Sequence, residues 1–295
     1  MKRFVVFLLF VSLLTFACNL SSTSTPPTIT IAPPVTVPPA TEPPTAAVPP
    51  AATEPPTATE PPAATQPPAP VTNVTCNELA LYLDPALASG YGCKSVPEAI
   101  GQGFFDTPQY TELTFQGYLL SDRFHTPQIH IYPLQRFSQL APDLVNSDVA
   151  SLQALLSGGP QGDTLTLLNV SIFGAGQLFH AQYRVLPFGS GSGIRYLSEY
   201  AQYYDPVNNH DLFYTFQGLT SDGKYWISAI LPISNPILPE DPRPLPGGQT
   251  DEQFSNNYPT YIVDMTNQLN SQTAASFSPS LTALDTLVGS IQIQP

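Results

Sequence analysis

The clearest hydrophobic pattern runs over residues 212–233, where two apolar stretches flank Asp222-Gly223. Asp-Gly suits the two positive-φ positions of a tight turn, so the stretches read as the arms of a β-hairpin. A two-residue loop sets Ser221 opposite Lys224, and counting back pairs Gly218 with Ile227, Phe216 with Ala229 and Tyr214 with Leu231. That face is apolar. The other carries Phe213, Thr215, Gln217, Leu219, Trp226, Ser228 and Ile230, too apolar to stay wet, so both faces require cover.

Other stretches repeat the period of two. Residues 112–120 and 128–132 carry β-branched and aromatic side chains with turn formers between them, which predicts a hairpin or two adjacent strands. Residues 177–186 alternate, and residues 193–204 alternate again with Ile194, Tyr196, Tyr200 and Tyr204 on one face. The run Gly189-Ser190-Gly191-Ser192-Gly193 between them reads as a turn and lacks the central serine of a nucleophile elbow. Helical spacing takes over at residues 147–156, where Val149, Leu152, Leu155 and Leu156 share a stripe that Gly158-Gly159 ends. It returns at Tyr258, Ile262, Met265 and Leu269, with Pro259 in a first turn, and at Leu281, Leu284 and Leu287 after a Ser278-Pro279 start. Ile291 and Ile293 alternate as a last short strand, residues 76–93 read as a short helical piece with a loop, and the Pro-rich residues 235–248 form an exposed ordered loop.

Together these elements predict a single α+β globular domain over residues 73–295, an antiparallel sheet flanked by helices. The hairpin LFYTFQGLTSDGKYWISAILP, a long helix, and a helix running into LTALDTLVGSIQIQ resemble the α/β/α sandwich of the Mog1 and PsbP type, found among many extracytoplasmic lipoproteins. The resemblance covers about the last 120 residues at the level of element order and implies shape, not chemistry.

The N-terminal 72 residues follow other rules. Lys2 and Arg3 precede an uncharged run from Phe4 to Phe16 in which only Ser12 and Thr15 are polar, and the run stops at Ala17-Cys18. It is shorter than the roughly 20 residues that span a bilayer, so residues 1–18 read as a signal peptide. A cysteine directly after a small residue resembles the bacterial lipobox, which implies acylation of Cys18; ordinary signal-peptidase cleavage after Ala17 is the alternative. Residues 19–72 repeat Pro-Pro from Pro26-Pro27 to Pro67-Pro68 with Thr, Ala and Val between. Each proline fixes φ and removes an N–H, which predicts a disordered stalk leaning toward polyproline II, at most roughly 170 Å long at about 3.1 Å per residue.

Composition narrows the partners. Nine Lys and Arg against 22 Asp and Glu give a net charge of −13, which repels phosphate backbones and anionic headgroups, so nucleic acid is not an expected partner. With Cys18 assigned to lipid, Cys76 and Cys93 remain as a pair for a disulfide outside the cytoplasm.

Candidate chemistry is sparse. His125 and His130 are five residues apart with Pro127 between, and a surface or hydrogen-bonded histidine is the stronger reading there than a metal pair. The loop at residues 205–211 collects oxygen-bearing side chains without the spacing of a calcium loop, and turn formation is its stronger reading. Arg195 and Glu199 pair on one strand face, or Arg195 meets a carboxylate elsewhere. No cofactor or metal is called for. The unusual feature is tyrosine density around residues 196–226, with Tyr196, Tyr200, Tyr204 and Trp226 as the candidate ligand surface and packing between sheet and helices as the alternative. The reading is a lipid-anchored protein on the extracytoplasmic face of the cell membrane, presenting a non-enzymatic module for an envelope protein or glycan; an extracytoplasmic hydrolase is the alternative.

Overall fold

The computed structural model describes residues 71–101, 106–159 and 175–294, so the signal peptide, Cys18 and nearly all of the stalk lie outside the described residues. In chain order the elements are β1 (Val74–Cys76), β2 (Leu79–Leu81), β3 (Ala88–Val96), β4 (Tyr110–Tyr118), β5 (Gln128–Pro133), α1 (Leu134–Leu140) and α2 (Pro142–Gly158). There follow β6 (Gly176–Gln177), β7 (Ala181–Phe188), β8 (Gly191–Ser198), β9 (Tyr200–Ala201), β10 (Phe213–Thr220), β11 (Tyr225–Pro232), α3 (Asp251–Ser271), α4 (Leu281–Gly289) and β12 (Gln292–Ile293). The fold is α+β. Seven strands form one antiparallel sheet in the order β3-β4-β5-β11-β10-β8-β7.

At the centre is the β10–β11 hairpin, with Tyr214 opposite Leu231, Phe216 opposite Ala229 and Gly218 opposite Ile227, the register the hydrophobic pattern predicts. The turn differs from expectation. Only Gly223 takes a positive φ, 69°, whereas Asp222 bends the loop with its carboxylate, which accepts hydrogen bonds from Thr220 Oγ1 at 2.7 Å and the Lys224 N–H at 3.0 Å. The loop grows by one residue on each side, so the pairing is unchanged.

Both faces of the hairpin are covered. On one side Tyr214, Phe216, Ile227, Ala229 and Leu231 pack with Leu281, Leu284, Leu287 and Val288 of α4 and Leu269 of α3. On the other, Leu219 and Trp226 join Tyr132, Ile194 and Tyr196 beneath Leu134 and Phe137 of α1 and Val145 and Leu152 of α2. Burial of each such side chain stabilises by about 1.5–3 kcal/mol, which is why the two central strands carry apolar groups on both faces.

Several elements correct the sequence reading. Residues 76–93 form strands rather than a helical piece. Asn77, at φ 52°, turns β1 into β2, and β12 pairs with β2 to close a three-stranded sheet from the two ends of the described chain. The Cys76–Cys93 disulfide ties β1 to β3 with the Cα atoms 5.6 Å apart. The turn at 189–193 is only Gly189-Ser190. Gly191 and Gly193 belong to β8, where a Cβ on Gly193 would meet the Phe216 ring and lie 2.5 Å from the Gln217 carbonyl oxygen. Helix α3 begins about two turns before Pro259, because Thr250 and Gln253 form a reciprocal capping box that outweighs an interior proline. For α4 the cap is Ser280, whose hydroxyl accepts the Ala283 N–H at 3.2 Å, not Ser278.

Candidate functional site

The alternation over residues 193–204 breaks at Glu199, and the break builds the site. Strand β8 ends at Ser198, and Glu199 turns inward, 1% exposed, to accept hydrogen bonds from the Asn208 N–H and side-chain Nδ2, each at 3.1 Å. Burial pushes this carboxyl well above the usual carboxylate range, and nearby Asp211 and Asp205 push the same way against the Asn208 bond. Tyr200 and Ala201 then leave the large sheet and pair with Gly176 and Gln177. Gln177 is held by a bond from its Nε2 to Ser198 Oγ at 3.2 Å.

Past β9 the chain presents Tyr203 and Tyr204 to solvent, 73% and 57% exposed. The Tyr204 ring stacks on Tyr258 of α3, centroids 4.4 Å apart and 23° between planes. Phe254 braces Tyr258 edge-on at 5.7 Å. The Tyr258 hydroxyl is buried without a hydrogen-bond partner, and burial raises its pKa. The neighbouring Tyr261 hydroxyl instead accepts the Val207 N–H at 2.9 Å. Arg243, between Pro242 and Pro244, reaches the same place and bonds Asp251 at 2.6 Å and Asp205 at 3.2 Å. Around these groups lies an open cleft of about 710 Å³, lined by Gln177, Tyr203, Tyr204, Arg243, Asp251 and Ser255 among others.

The four aromatic residues chosen from sequence do not share a surface. Tyr196 and Trp226 are core, 2% and 0% exposed. The Trp226 Nε1–H donates to Gln217 Oε1 at 3.0 Å, and Gln217 Nε2 in turn bonds Thr215 and Ser228, so this buried polar stripe is internally satisfied. Tyr200 is half-buried and stacks on Phe213 at 5.8 Å. Tyr204 alone of the four is exposed. Of the other residues lining the cleft, Gln177, Arg243, Asp251 and Ser255 lie far from Tyr204 in sequence. The one local signal is Tyr203-Tyr204 set directly before Asp205-Pro206, where the proline removes a backbone N–H and the chain has already bent away from β9 at Gln202 and Tyr203.

The remaining candidates resolve into structure. Arg195 and Glu199 do not pair. Arg195, 5% exposed, binds Asp285 of α4 through Nε at 3.1 Å and also donates to the Gln182 carbonyl, while the Tyr214 hydroxyl donates to Asp285 at 3.1 Å. His125 packs edge-on against Phe213 at 4.5 Å, and burial lowers its pKa to about 4. His130 Nδ1 meets the Tyr132 hydroxyl at 2.9 Å and its Nε2 lies 3.4 Å from Glu112, whose carboxyl this histidine, with Lys94, holds down to about 2. In the loop at 205–211, Asp205 is tied to Arg243, Asn208 to Glu199, and Asp211 to His210 at 2.6 Å. No group of three metal-ligating side chains is found among the described residues.

An α+β fold with helices on both faces of its sheet and an aromatic cleft past the end of β8 thus describes the protein's class. No protein-family model matches the chain, and no curated protein or solved structure matches it either.

Proposed function

We propose that the protein is an extracytoplasmic lipoprotein, anchored through Cys18, whose folded head holds a polar ligand in the Tyr203–Tyr204 cleft without transforming it. The observation that carries the reading is the pair of solvent-facing rings, one of them pinned by stacking on Tyr258. Two large aromatic side chains left adjacent in water are an unfavourable use of surface unless a ligand covers them. The ionisable lining groups Arg243 and Asp251 bond one another, an arrangement that orients a ligand and leaves neither poised as acid or base. The disulfide supports a place outside the cytoplasm. Among the described residues no helix is long and apolar enough to cross a membrane, and the anchor in this reading is lipid on Cys18.

Hydroxyl-radical footprinting of the full chain tests the reading, comparing intact cells with the purified protein. Tyr203 and Tyr204 should be several-fold less oxidised on cells than in isolation, while exposed Phe124, remote in sequence, is oxidised equally in both. Equal oxidation of the two tyrosines in both samples would remove the cleft as a ligand site.

A further inference from the structure

The chemistry of the cleft narrows what it takes, and we propose that its ligand is an uncharged carbohydrate chain; this rests on the cleft being the ligand site. Charge decides first. Arg243 is neutralised by Asp251 and Asp205, so an anionic ligand would find no cation without a partner there and would approach a chain of net charge −13. A cationic ligand would be drawn to the aromatic rings, but the Asp251 and Asp205 carboxylates it would need are already engaged by Arg243. An uncharged ligand meets neither penalty.

Shape and hydrogen bonding decide next. With one face on Tyr258, the Tyr204 ring leaves its other face for the ligand, and the exposed Tyr203 lines the same cleft. A pyranose offers just such a ring a flat patch of C–H groups, while its equatorial hydroxyls point outward to the rim. At the rim stand a guanidinium, a carboxylate, a carboxamide and a hydroxyl, from Arg243, Asp251, Gln177 and Ser255, which together donate to and accept from vicinal hydroxyl pairs. Their geometry is fixed beforehand: Arg243 by two carboxylates and two prolines, Gln177 by Ser198. A volume of about 710 Å³ falls in the range of roughly 300–1,000 Å³ usual for ligand sites, and the cleft is open, so a chain can run through it.

Calorimetric titration of the purified full-length protein with cellohexaose, xylohexaose, mannohexaose, maltohexaose and chitohexaose tests the proposal, with phosphocholine and a glutamate hexapeptide as charged probes. At least one neutral hexaose should bind saturably, with an affinity that varies by less than about twofold between low and high salt. Tyr203→Ala and Tyr204→Ala should each weaken it about tenfold, while Tyr204→Phe keeps it within about threefold. Unchanged melting of the Tyr203→Ala variant, whose side chain is mostly in solvent, shows that the loss is not unfolding. Binding of a charged probe alone, binding of none, or binding that survives both alanine substitutions overturns the proposal. If no hexaose binds but the two tyrosines are protected on cells, the carbohydrate is wrong and the site is right; if neither is seen, both fall.

Discussion

Glu199 is where one side chain decides the course of the chain. An acid drawn out of water favours its neutral form, and here burial outweighs the opposing hydrogen bond from the Asn208 backbone, so its folded pKa stands above the ordinary value of 4.5. The stability it contributes is full below that value and is lost as pH rises toward the folded pKa, at up to about 1.4 kcal/mol per pH unit. Glu199→Gln removes the titration and one acceptor for Asn208. The stability advantage of the natural protein over this variant should therefore shrink as pH is raised above 4.5, measured by urea unfolding at each pH. A constant difference would contradict the assignment. The same residue explains why the tyrosine surface was only partly legible in the sequence. Alternation assigns Tyr196, Tyr200 and Tyr204 to one strand face, and nothing in the pattern announces that a buried carboxylate will end the strand at Ser198. Trp226 lies on the hairpin face that the sequence marks as requiring cover, and its neighbours Thr215, Gln217 and Ser228 bond one another and its indole N–H there.

Elements are held to the sheet by a few specific contacts added to apolar burial. Arg195 and Asp285 form a nearly buried ion pair between β8 and α4, with the Tyr214 hydroxyl as a third member. Arg195→Met should cost about 1–3 kcal/mol, because it removes the buried partner of a carboxylate that keeps only the more exposed Arg184 at 3.6 Å and the Tyr214 hydroxyl, whereas the double change Arg195→Met with Asp285→Leu should recover most of that. Chemical denaturation of the single and double variants checks this, and equal losses in both would show that the charges themselves stabilise α4. Close approach is equally specific at Gly193, where any side chain would have to push β8 away from Phe216 and the Gln217 carbonyl. Gly193→Val should lower stability by roughly 1–3 kcal/mol, seen as a fall in melting temperature without loss of the disulfide. At this scale the sequence was most readable where period and turn chemistry agree, as in the β10–β11 register. It misled at residues 76–93, where the period of two over Leu79, Leu81 and Leu83 is that of a strand and not of the helical piece expected there, and where the Thr250–Gln253 capping box overrode the proline signal at Pro259.

As a whole molecule the folded head joins its two ends. Strand β12 pairs with β2, and the Cys76–Cys93 bond fastens β1 of the same small sheet to the edge strand β3. Closing the loop between the two cysteines should stabilise by about 3 kcal/mol in the chain-entropy account. Cys76→Ala with Cys93→Ala should lose about that much in urea unfolding, and the loss should appear as well when the natural protein is unfolded under reducing conditions. Such bonds are characteristic of oxidising compartments, which is the placement proposed above.

That placement, an oxidised head carried beyond the cytoplasm on a lipid tether, is the claim on which the ligand reading depends. Intact-mass spectrometry of the protein extracted from its native membrane addresses it in one spectrum. The account predicts a chain that starts at Cys18, carries the added mass of acyl groups there, and lacks the two hydrogens of free Cys76 and Cys93. A chain that still begins at Met1 and retains both thiols would contradict it.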